Sequence, residues 1–528
     1  MGKSDKKTFV KGAFILGIAG LLCKVIGAFF RIPLYNMLGD GMQYYEAVYP
    51  YYSLLITIST AGLPTAISRM VAERVALSDY TGAKRVFRKA QLLLCLFGAA
   101  TAALMYFFAD GLALSTVGLG ASMSFRAMAP SLLIVAMMCS YRGYLQGMQR
   151  MTGTAITQLV EQLGKLIIGL YLASQWIRRG PEYGALGAVV GVTLSELIAL
   201  LVIMWMYVRR KKEFMPDMLQ TAAVNDSHIM RDLMLIAIPV TIGGSIGSLT
   251  GIVDASMIKR TLLQIGFNEA EASMRYVCLR TNVQSIINMP AVLTVALAMS
   301  LVPAISEARA RRDTHAIHTV SNMGIKISTL IGMPCTVGLL VLAAPALDLL
   351  YEIDPVRLEI ATALMRTSAV SVLFLSLVQG LTGILQGVGK QNIPVINLCI
   401  GGGVKVLVMV TLMRNPNIEI QGAAISNVAC YLVAGILDMV YLIRYTKLKV
   451  NWMDAVAKPL LASIIMGGVT FFTYVFFKAR ISSNTITTLL AMVAAVVSYL
   501  AVILLSGMFT DEDLTMIPGG KYLARFMR

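Results

Sequence analysis

Five small or basic residues fall on one face of the first apolar segment. Gly17, Gly20, Lys24, Gly27 and Arg31 follow one another at steps of three and four, which is the spacing of one helix face. The glycines permit close packing against another helix. If the segment spans a membrane, Lys24 lies near mid-bilayer, where a charge costs about 2.5–3.5 kcal/mol on insertion scales. We therefore expect Lys24 to face a wet or anionic cavity, with Arg31 either in that cavity or at the interface.

A related face occurs in the apolar segment 231–258. Its residues at steps of four, four and three are Gly243, Gly247, Gly251 and Asp254. Three interpretations of the Asp254 carboxylate stay open. It is neutralised by Lys259 and Arg260 at the outer end of the segment, it binds a cation, or it is a partner for the first segment.

Two lysines lie in apolar segments, where each charge needs a partner of opposite charge. Lys165 follows Glu161 by four residues, and this order of charges favours a helical ion pair. Lys405 occupies the corresponding place later in the chain, where Gly401 replaces the acid. Lys405 is therefore predicted either to pair with another segment, for which Asp438 is a candidate, or to meet an anion.

Four charged residues mark the outer ends of predicted spans. They are Glu46, Arg126, Arg280 and Arg366. Each either lines an outer mouth or anchors its helix at the membrane interface.

The elements that position these residues are membrane helices. Of the 528 residues, 57% are hydrophobic and 14% are charged, and the mean hydropathy is +0.73. This is more apolar sequence than a soluble core of this size can hide, and runs of about 20 apolar residues recur throughout. The predicted spans are 10–38, 47–73, 86–109, 123–146, 152–176, 184–208, 231–258, 278–306, 318–344, 362–387, 391–413, 420–445, 456–477 and 484–508.

Charge sets the orientation of these fourteen predicted helices. An even number places both termini on one side, and the connections on that side hold most of the Lys and Arg. The positive-inside rule then makes both termini cytoplasmic. The net charge of +17 follows this asymmetry, which favours anionic lipid over nucleic acid as its counterpart.

Internal similarity indicates a duplication. The stretch 141–150 (YRGYLQGMQR) aligns with 381–390 (LTGILQGVGK), and LPTAIS at 63–68 aligns with VPAIS at 302–306. Six predicted spans separate the copies, so both enter the membrane from the same side. This predicts two parallel six-helix lobes around a central cavity, 1–220 and 221–450, with two further helices and a cytoplasmic tail in 451–528.

Chemistry on a bound substrate is not expected. The sequence has no P-loop, nucleophile elbow or histidine in an apolar setting. His315 and His318 could share a helix face, but two ligands in a basic connection are more often solvated than metal-bound. No cofactor is expected, and the membrane potential or an H⁺ or Na⁺ gradient is the default energy source for transport.

Two long segments resemble a known family. The chain resembles the stage V sporulation protein B group of polysaccharide exporters. The resemblance lies in residues 31–73, which begin with RIPLYNMLGD, in residues 288–308 (NMPAVLTVALAMSLVPAISEA) and in the LQG element. That group belongs to the multidrug/oligosaccharidyl-lipid/polysaccharide exporter superfamily. The resemblance implies a fourteen-helix fold in a bacterial cell membrane. It also implies a flippase that moves undecaprenyl-pyrophosphate-linked saccharides, with lipid II as the expected cargo, to the outer leaflet by alternating access.

The resemblance also implies site residues. Relatives use basic residues of the first helix and an acid that opens the second, and these positions match Lys24 and Glu46. Arg31 lies one residue from the second basic position, and Arg69 loosely matches an arginine that closes the second helix. With Asp254, Arg280 and Lys405 these residues make up the predicted substrate site.

Other functions stay open. A drug/cation antiporter of the same superfamily would require buried carboxylates in its cavity. A glycosyl- or acyltransferase would require a catalytic acid or histidine on a large loop. A scaffold for cell-wall or spore-cortex assembly would recruit cell-wall synthesis proteins. A monomer is expected.

Overall fold

The computed structural model describes residues 19–209 and 229–506, apart from positions 21, 24, 28, 61, 78, 149 and 482. Within these residues every regular element is helical, and no strand occurs among them. The prediction of an all-α protein is confirmed for this part of the chain.

The helices follow in chain order. They are α1 (29–38), α2 (Met42–Thr60), α3 (Leu63–Ala76), α4 (Tyr80–Phe107), α5 (Ala109–Leu114), α6 (Ser122–Gly147), α7 (Met151–Gly164), α8 (Leu170–Trp176), α9 (Pro181–Arg209), α10 (Ile229–Gln264), α11 (Glu269–Val277), α12 (Gln284–Ile287), α13 (Ala291–Ala310), α14 (Thr314–Val341), α15 (Ala343–Leu350), α16 (Pro355–Gly387), α17 (Asn392–Met413), α18 (Gln421–Thr446), α19 (Lys458–Lys478) and α20 (Asn484–Leu505). Three π-helical turns interrupt them, at Lys165–Gly169, Cys278–Val283 and Met453–Ala457.

Eleven helical segments of the described residues are long and apolar enough to cross a membrane. The first of these, Val25–Val75, takes in the predicted second span and part of the first. Helices also cover the predicted fifth and seventh spans, as α7 with α8 and as α10. On α20 the most apolar stretch is only 17% buried inside the protein, as expected for a helix that faces lipid.

The chain forms two compact units, Met1–Leu263 and Gln264–Arg528. In the first unit, buried residues of α3, α4, α6 and α9 share one hydrophobic core with the start of α10. In the second unit, α13, α14, α16 and α18 enclose a core of their own. The predicted lobe boundaries at 220 and 450 stay a prediction.

The glycines of the LQG element are sites of close helix packing within each unit. A Cβ atom at Gly147 of α6 would lie 2.7 Å from Val71 Cβ of α3. In the second unit, a Cβ at Gly387 of α16 would lie 2.7 Å from Ile305 Cβ of α13. A side chain at either position would push two helices apart.

Helix α4 begins at a well-built cap. Asp79 accepts a hydrogen bond of 2.7 Å from the Gly82 N–H and pairs with Arg74 at 2.9 Å. Burial raises the pKa of Asp79, but these two contacts outweigh it and lower the pKa below its ordinary value. The cap therefore stabilises the ionised form of Asp79.

Candidate functional site

Helix α2 presents a row of tyrosines. It starts after a tight turn in which Gly39 has φ +53°, a conformation that favours glycine. Tyr45, Tyr49 and Tyr52 then follow at steps of four and three on one helix face. The ring centroids of Tyr45 and Tyr49 are 5.1 Å apart, and those of Tyr49 and Tyr52 are 5.9 Å apart. This row is the frame on which the charged residues of the site are arranged.

Two of the predicted site residues form an ion pair at one end of this row. Arg31 Nη1 lies 3.2 Å from Glu46 Oε1. The Glu46 side chain is 1% exposed and the Arg31 side chain is 26% exposed. The Glu46 carboxylate is therefore enclosed and paired, and its place at an outer mouth stays a prediction. The Arg31 guanidinium also lies 5.8 Å from the centroid of the Tyr49 ring.

A second cation meets the same tyrosine. The Lys165 ammonium donates a hydrogen bond to the Tyr49 hydroxyl and lies 4.8 Å from the ring centroid. Lys165 opens the π-helical turn that ends at Gly169, and Gly191 of α9 packs so closely there that a Cβ would lie 2.3 Å from Gly169 Cα. This close approach fixes the wide turn from which Lys165 extends. We call Arg31, Glu46, Tyr49 and Lys165 the Tyr49 cluster.

The predicted Glu161–Lys165 ion pair is wrong. The Glu161 carboxylate pairs with Arg142 of α6 at 3.2 Å, and Arg142 also donates to the Thr157 hydroxyl at 3.1 Å. The two side chains do not meet, because Arg142 holds the Glu161 carboxylate and the Lys165 ammonium lies at the Tyr49 hydroxyl. Lys165 is thus held by a neutral hydroxyl rather than by a carboxylate.

A buried carboxylate near this cluster escaped the sequence analysis. The Tyr52 hydroxyl donates a 2.7 Å hydrogen bond to Glu196 Oε1, and both side chains are buried. Glu196 is the single charged residue within the predicted span 184–208, so a search for isolated charges in apolar runs would have found it.

Asp254 lies buried on α10 in the first unit. Near it, Ser248 and Ser53 share a hydrogen bond of 2.8 Å, and a Cβ at Gly251 would lie 3.4 Å from Pro50. The glycine-containing face of α10 therefore packs on α2 at this point. Lys259, expected as a neutraliser of Asp254, donates to the Gln43 side chain and to the Val117 carbonyl, both at 3.2 Å.

The remaining candidates belong to the second unit. Arg280 lies in the π-helical turn Cys278–Val283, and Lys405 is buried on α17. Asp438, the candidate partner named for Lys405, is bound to another residue of α17. Asp438 accepts a 2.7 Å hydrogen bond from Asn397, which precedes Lys405 by about two turns along α17.

Several residues singled out from the sequence lie outside the Tyr49 cluster. Lys24 lies outside the described residues. Arg126 forms an exposed pair with Asp110 at 2.7 Å, and Arg69 pairs with Glu73 at 2.9 Å on the surface. His318 contacts the Thr446 carbonyl through Nε2 at 2.8 Å. No group of three or more His, Cys, Asp or Glu side chains that could hold a metal ion occurs in the described part of the chain.

The sequence and the fold together identify the class of protein. Apolar helices long enough to span a bilayer run through both units, and the model of the polysaccharide biosynthesis protein family matches residues 9–309. The model of the MatE family matches residues 281–411. The chain is a multi-pass bacterial membrane protein, and it belongs to the polysaccharide biosynthesis protein family within the multidrug/oligosaccharidyl-lipid/polysaccharide exporter superfamily.

Three relatives from Bacillus subtilis (strain 168) match over most of their length. The chain is 24% identical to the uncharacterized membrane protein YabM, over 98% of this chain and 96% of the relative. It is 25% identical to stage V sporulation protein B, over 82% and 83%. It is also 25% identical to lipid II flippase MurJ, over 83% and 82%.

Solved structures share the fold. A structure of lipid II flippase MurJ in an inward closed conformation superposes with a TM-score of 0.69 at 14% identity, covering 93% of this chain and 98% of that chain. An inward-facing multidrug resistance MATE family transporter superposes with a TM-score of 0.66 at 16% identity, covering 82% and 98%. The described helices therefore have the fold of these two transporter types.

Proposed function

We propose that the protein is a flippase that moves an undecaprenyl-pyrophosphate-linked saccharide, with lipid II as the expected cargo, from the inner to the outer leaflet. The observation that carries this proposal is the Tyr49 cluster. Its guanidinium carbon and ammonium nitrogen lie 5.8 and 4.8 Å from the same ring centroid, and we propose that one pyrophosphate contacts both cations. A relative named as a lipid II flippase supports the same function.

The chemistry of the cluster suits a pyrophosphate. Such a group carries about two negative charges, which are costly to bring into hydrocarbon unless charged donors meet them. Arg31 offers planar guanidinium donors, and Lys165 offers a compact ammonium. With Glu46 as the counter-charge, these three side chains carry one net positive charge. We propose Lys24 as a further ligand, and the lipid tail stays in the bilayer while the head group crosses.

The finer architecture is also a proposal. It has fourteen membrane helices in two parallel repeats, with two additional C-terminal helices and both termini in the cytoplasm. The repeated LQG packing contact, found within each unit, supports the duplication. Asp254, Arg280 and Lys405 are proposed to contact cargo or a coupling ion during alternating access. The membrane potential or an H⁺ or Na⁺ gradient supplies the energy, and the protein acts as a transporter rather than an enzyme, working as a monomer.

The test is reconstitution of the full chain in liposomes that contain lipid II in the inner leaflet. Appearance of the head group outside is followed with a membrane-impermeant probe. We expect wild type to flip and Lys165→Gln to lose at least tenfold in rate, while the control Arg126→Gln, in an exposed pair, keeps the wild-type rate. Protein that is folded and reconstituted yet moves no lipid II would overturn the proposal and favour the scaffold.

Buried Glu196 favours a second candidate, a drug/cation antiporter. A carboxylate that meets a tyrosine hydroxyl in a dry setting resembles the buried acids that such an antiporter requires. In the same liposomes, an imposed proton or sodium gradient would drive uptake of a cationic dye. Dye uptake that is abolished by Glu196→Gln, with no lipid II movement, would support this candidate against the flippase.

A further inference from the structure

A small cavity in the second unit lies where four membrane helices end or begin. The helices α13, α16 and α18 end there, and α14 begins there. The cavity has a volume of about 350 Å³ and is lined by Arg309, His318, Val388, Tyr445 and Thr446, among others. We call it the Arg309 pocket. Its position at helix ends places it at the level of the membrane surface, on the side where Lys and Arg are concentrated.

The guanidinium of Arg309 is held against the backbone of the LQG element. Gly389 has φ +79°, and a Cβ added to it would lie 1.7 Å from Arg309 Nη1. In the first unit, Arg74 in the last turn of α3 pairs with the capping Asp79 at 2.9 Å. In the second unit the capping Asp313 instead accepts the Ala316 N–H at 2.9 Å. The charge of Arg309 is therefore directed into the pocket and not toward the helix cap.

Two more basic groups stand beside it. The Lys390 ammonium lies 4.6 Å from the centroid of the Tyr445 ring, which stacks on Tyr441 at 6.0 Å. His318 Nε2 lies 2.8 Å from the Thr446 carbonyl oxygen, so this nitrogen carries the proton. The stacked tyrosines and the carbonyl fix the direction from which both groups approach the cavity.

Acidic groups on the neighbouring turns are engaged elsewhere. Glu307 pairs with Arg311 at 2.6 Å, and Asp313 caps α14. No carboxylate lines the cavity among the residues the structure describes there. Arg309 and His318 thus line the pocket, and the Lys390 ammonium lies against Tyr445 of its wall. A recess at the membrane surface with these basic groups is an environment for a phosphate group.

We propose that the Arg309 pocket binds the phosphate of an anionic phospholipid of the surrounding leaflet. The phosphate accepts from Arg309 and Lys390, and the acyl chains remain in the bilayer beside the helices. The proposal concerns a lipid that stays in its leaflet and is independent of the cargo, so it holds or fails separately from the flippase assignment.

Native mass spectrometry of the full chain tests it. Protein is released from nanodiscs made of phosphatidylcholine and phosphatidylglycerol, and the retained phosphatidylglycerol is counted as its fraction in the nanodisc is varied. Each Lys or Arg near a membrane surface contributes about fivefold to the affinity for anionic lipid. We therefore expect the double variant Arg309→Gln/Lys390→Gln to bind phosphatidylglycerol about 25-fold more weakly, and the matched control Arg311→Gln to bind as wild type does.

Three outcomes would overturn the proposal. In the first, wild type shows no preferential retention of phosphatidylglycerol. In the second, Arg311→Gln loses as much affinity for phosphatidylglycerol as the double variant does. In the third, inorganic phosphate at millimolar concentration displaces the lipid, which would make free phosphate the ligand. If the double variant does not fold, the single Lys390→Gln is measured, with an expected loss of about fivefold. Its ammonium contacts only an aromatic ring, so its removal leaves the helix packing intact.

Discussion

The Arg31–Glu46 ion pair predicts that the two single substitutions have unequal costs. Glu46 is 1% exposed and Arg31 is 26% exposed. Arg31→Gln therefore leaves a carboxylate in a dry site, whereas Glu46→Gln leaves a guanidinium that solvent reaches. Breaking a buried pair costs about 3–5 kcal/mol when the remaining charge is buried. We expect Arg31→Gln to lie near the lower end of this range, and Glu46→Gln to cost about 1–2 kcal/mol.

The coupling energy between the two residues follows from their separation. At 3.2 Å the pair is in contact. Two unit charges 4 Å apart interact by about 1 kcal/mol in water and about 4 kcal/mol at the effective dielectric constant of a protein surface. With one partner enclosed and the other partly exposed, we expect a coupling energy of about 2–3 kcal/mol. The double variant Arg31→Gln/Glu46→Gln should then cost about 2 kcal/mol, which is about 1 kcal/mol less than Arg31→Gln alone.

A double-mutant cycle measures this coupling. The free energy of unfolding is obtained in detergent by titration with sodium dodecyl sulfate, followed by circular dichroism. The exposed pair Arg126–Asp110 is the control, because its 2.7 Å contact lies between side chains that are 44% and 53% exposed and should couple by at most about 1 kcal/mol. A coupling no larger than in this control, or a higher cost for Glu46→Gln than for Arg31→Gln, would refute the reasoning.

Three further predictions concern individual side chains. In liposomes, Lys165→Gln should lower lipid II flipping about 10- to 100-fold through loss of a charge-assisted contact, and Tyr49→Phe should lower it less because the ring remains. Gly389→Ala should lower the free energy of unfolding by about 1–2 kcal/mol because φ is +79°, whereas Gly403→Ala, with open space around it, should be neutral or stabilising. The lowered pKa of Asp79 means that its contribution is present above about pH 4 and is lost as the pH falls further, so the stability difference between wild type and Asp79→Asn should shrink from pH 7 to pH 3. An unchanged difference would contradict this assignment.

The helical architecture was accessible from the sequence because the bilayer imposes a length on each apolar run. The predicted span 184–208 matches α9, Pro181–Arg209, and the predicted span 484–508 matches α20, Asn484–Leu505. The predicted span 47–73 is instead two helices that separate at Gly62, where a Cβ would lie 2.2 Å from the Ala237 carbonyl. A Gly-Leu-Pro sequence marks this break, but the length of the apolar run masked it.

The site was less accessible because its contacts join residues far apart in the chain. The charges of Arg31 and Glu46 were identified from the sequence, but their mutual pairing was not. The contact between Lys165 and Tyr49 joins residues 116 positions apart. It also depends on a π-helical turn, and one wider turn leaves almost no trace in an apolar pattern.

The way each cation is held distinguishes their contributions to anion binding. The charge of Arg31 is largely offset by Glu46, so a phosphate must compete with a carboxylate for its guanidinium. The charge of Lys165 is held by a neutral hydroxyl, which orients the ammonium without cancelling it. Lys165 should therefore contribute more to the affinity for pyrophosphate, and Arg31 more to the order of events, because release of Glu46 can be coupled to arrival of the anion. Glu196 accepts a hydrogen bond from Tyr52 and also interacts electrostatically with Lys165, so its loss should alter ion coupling and the affinity for pyrophosphate together.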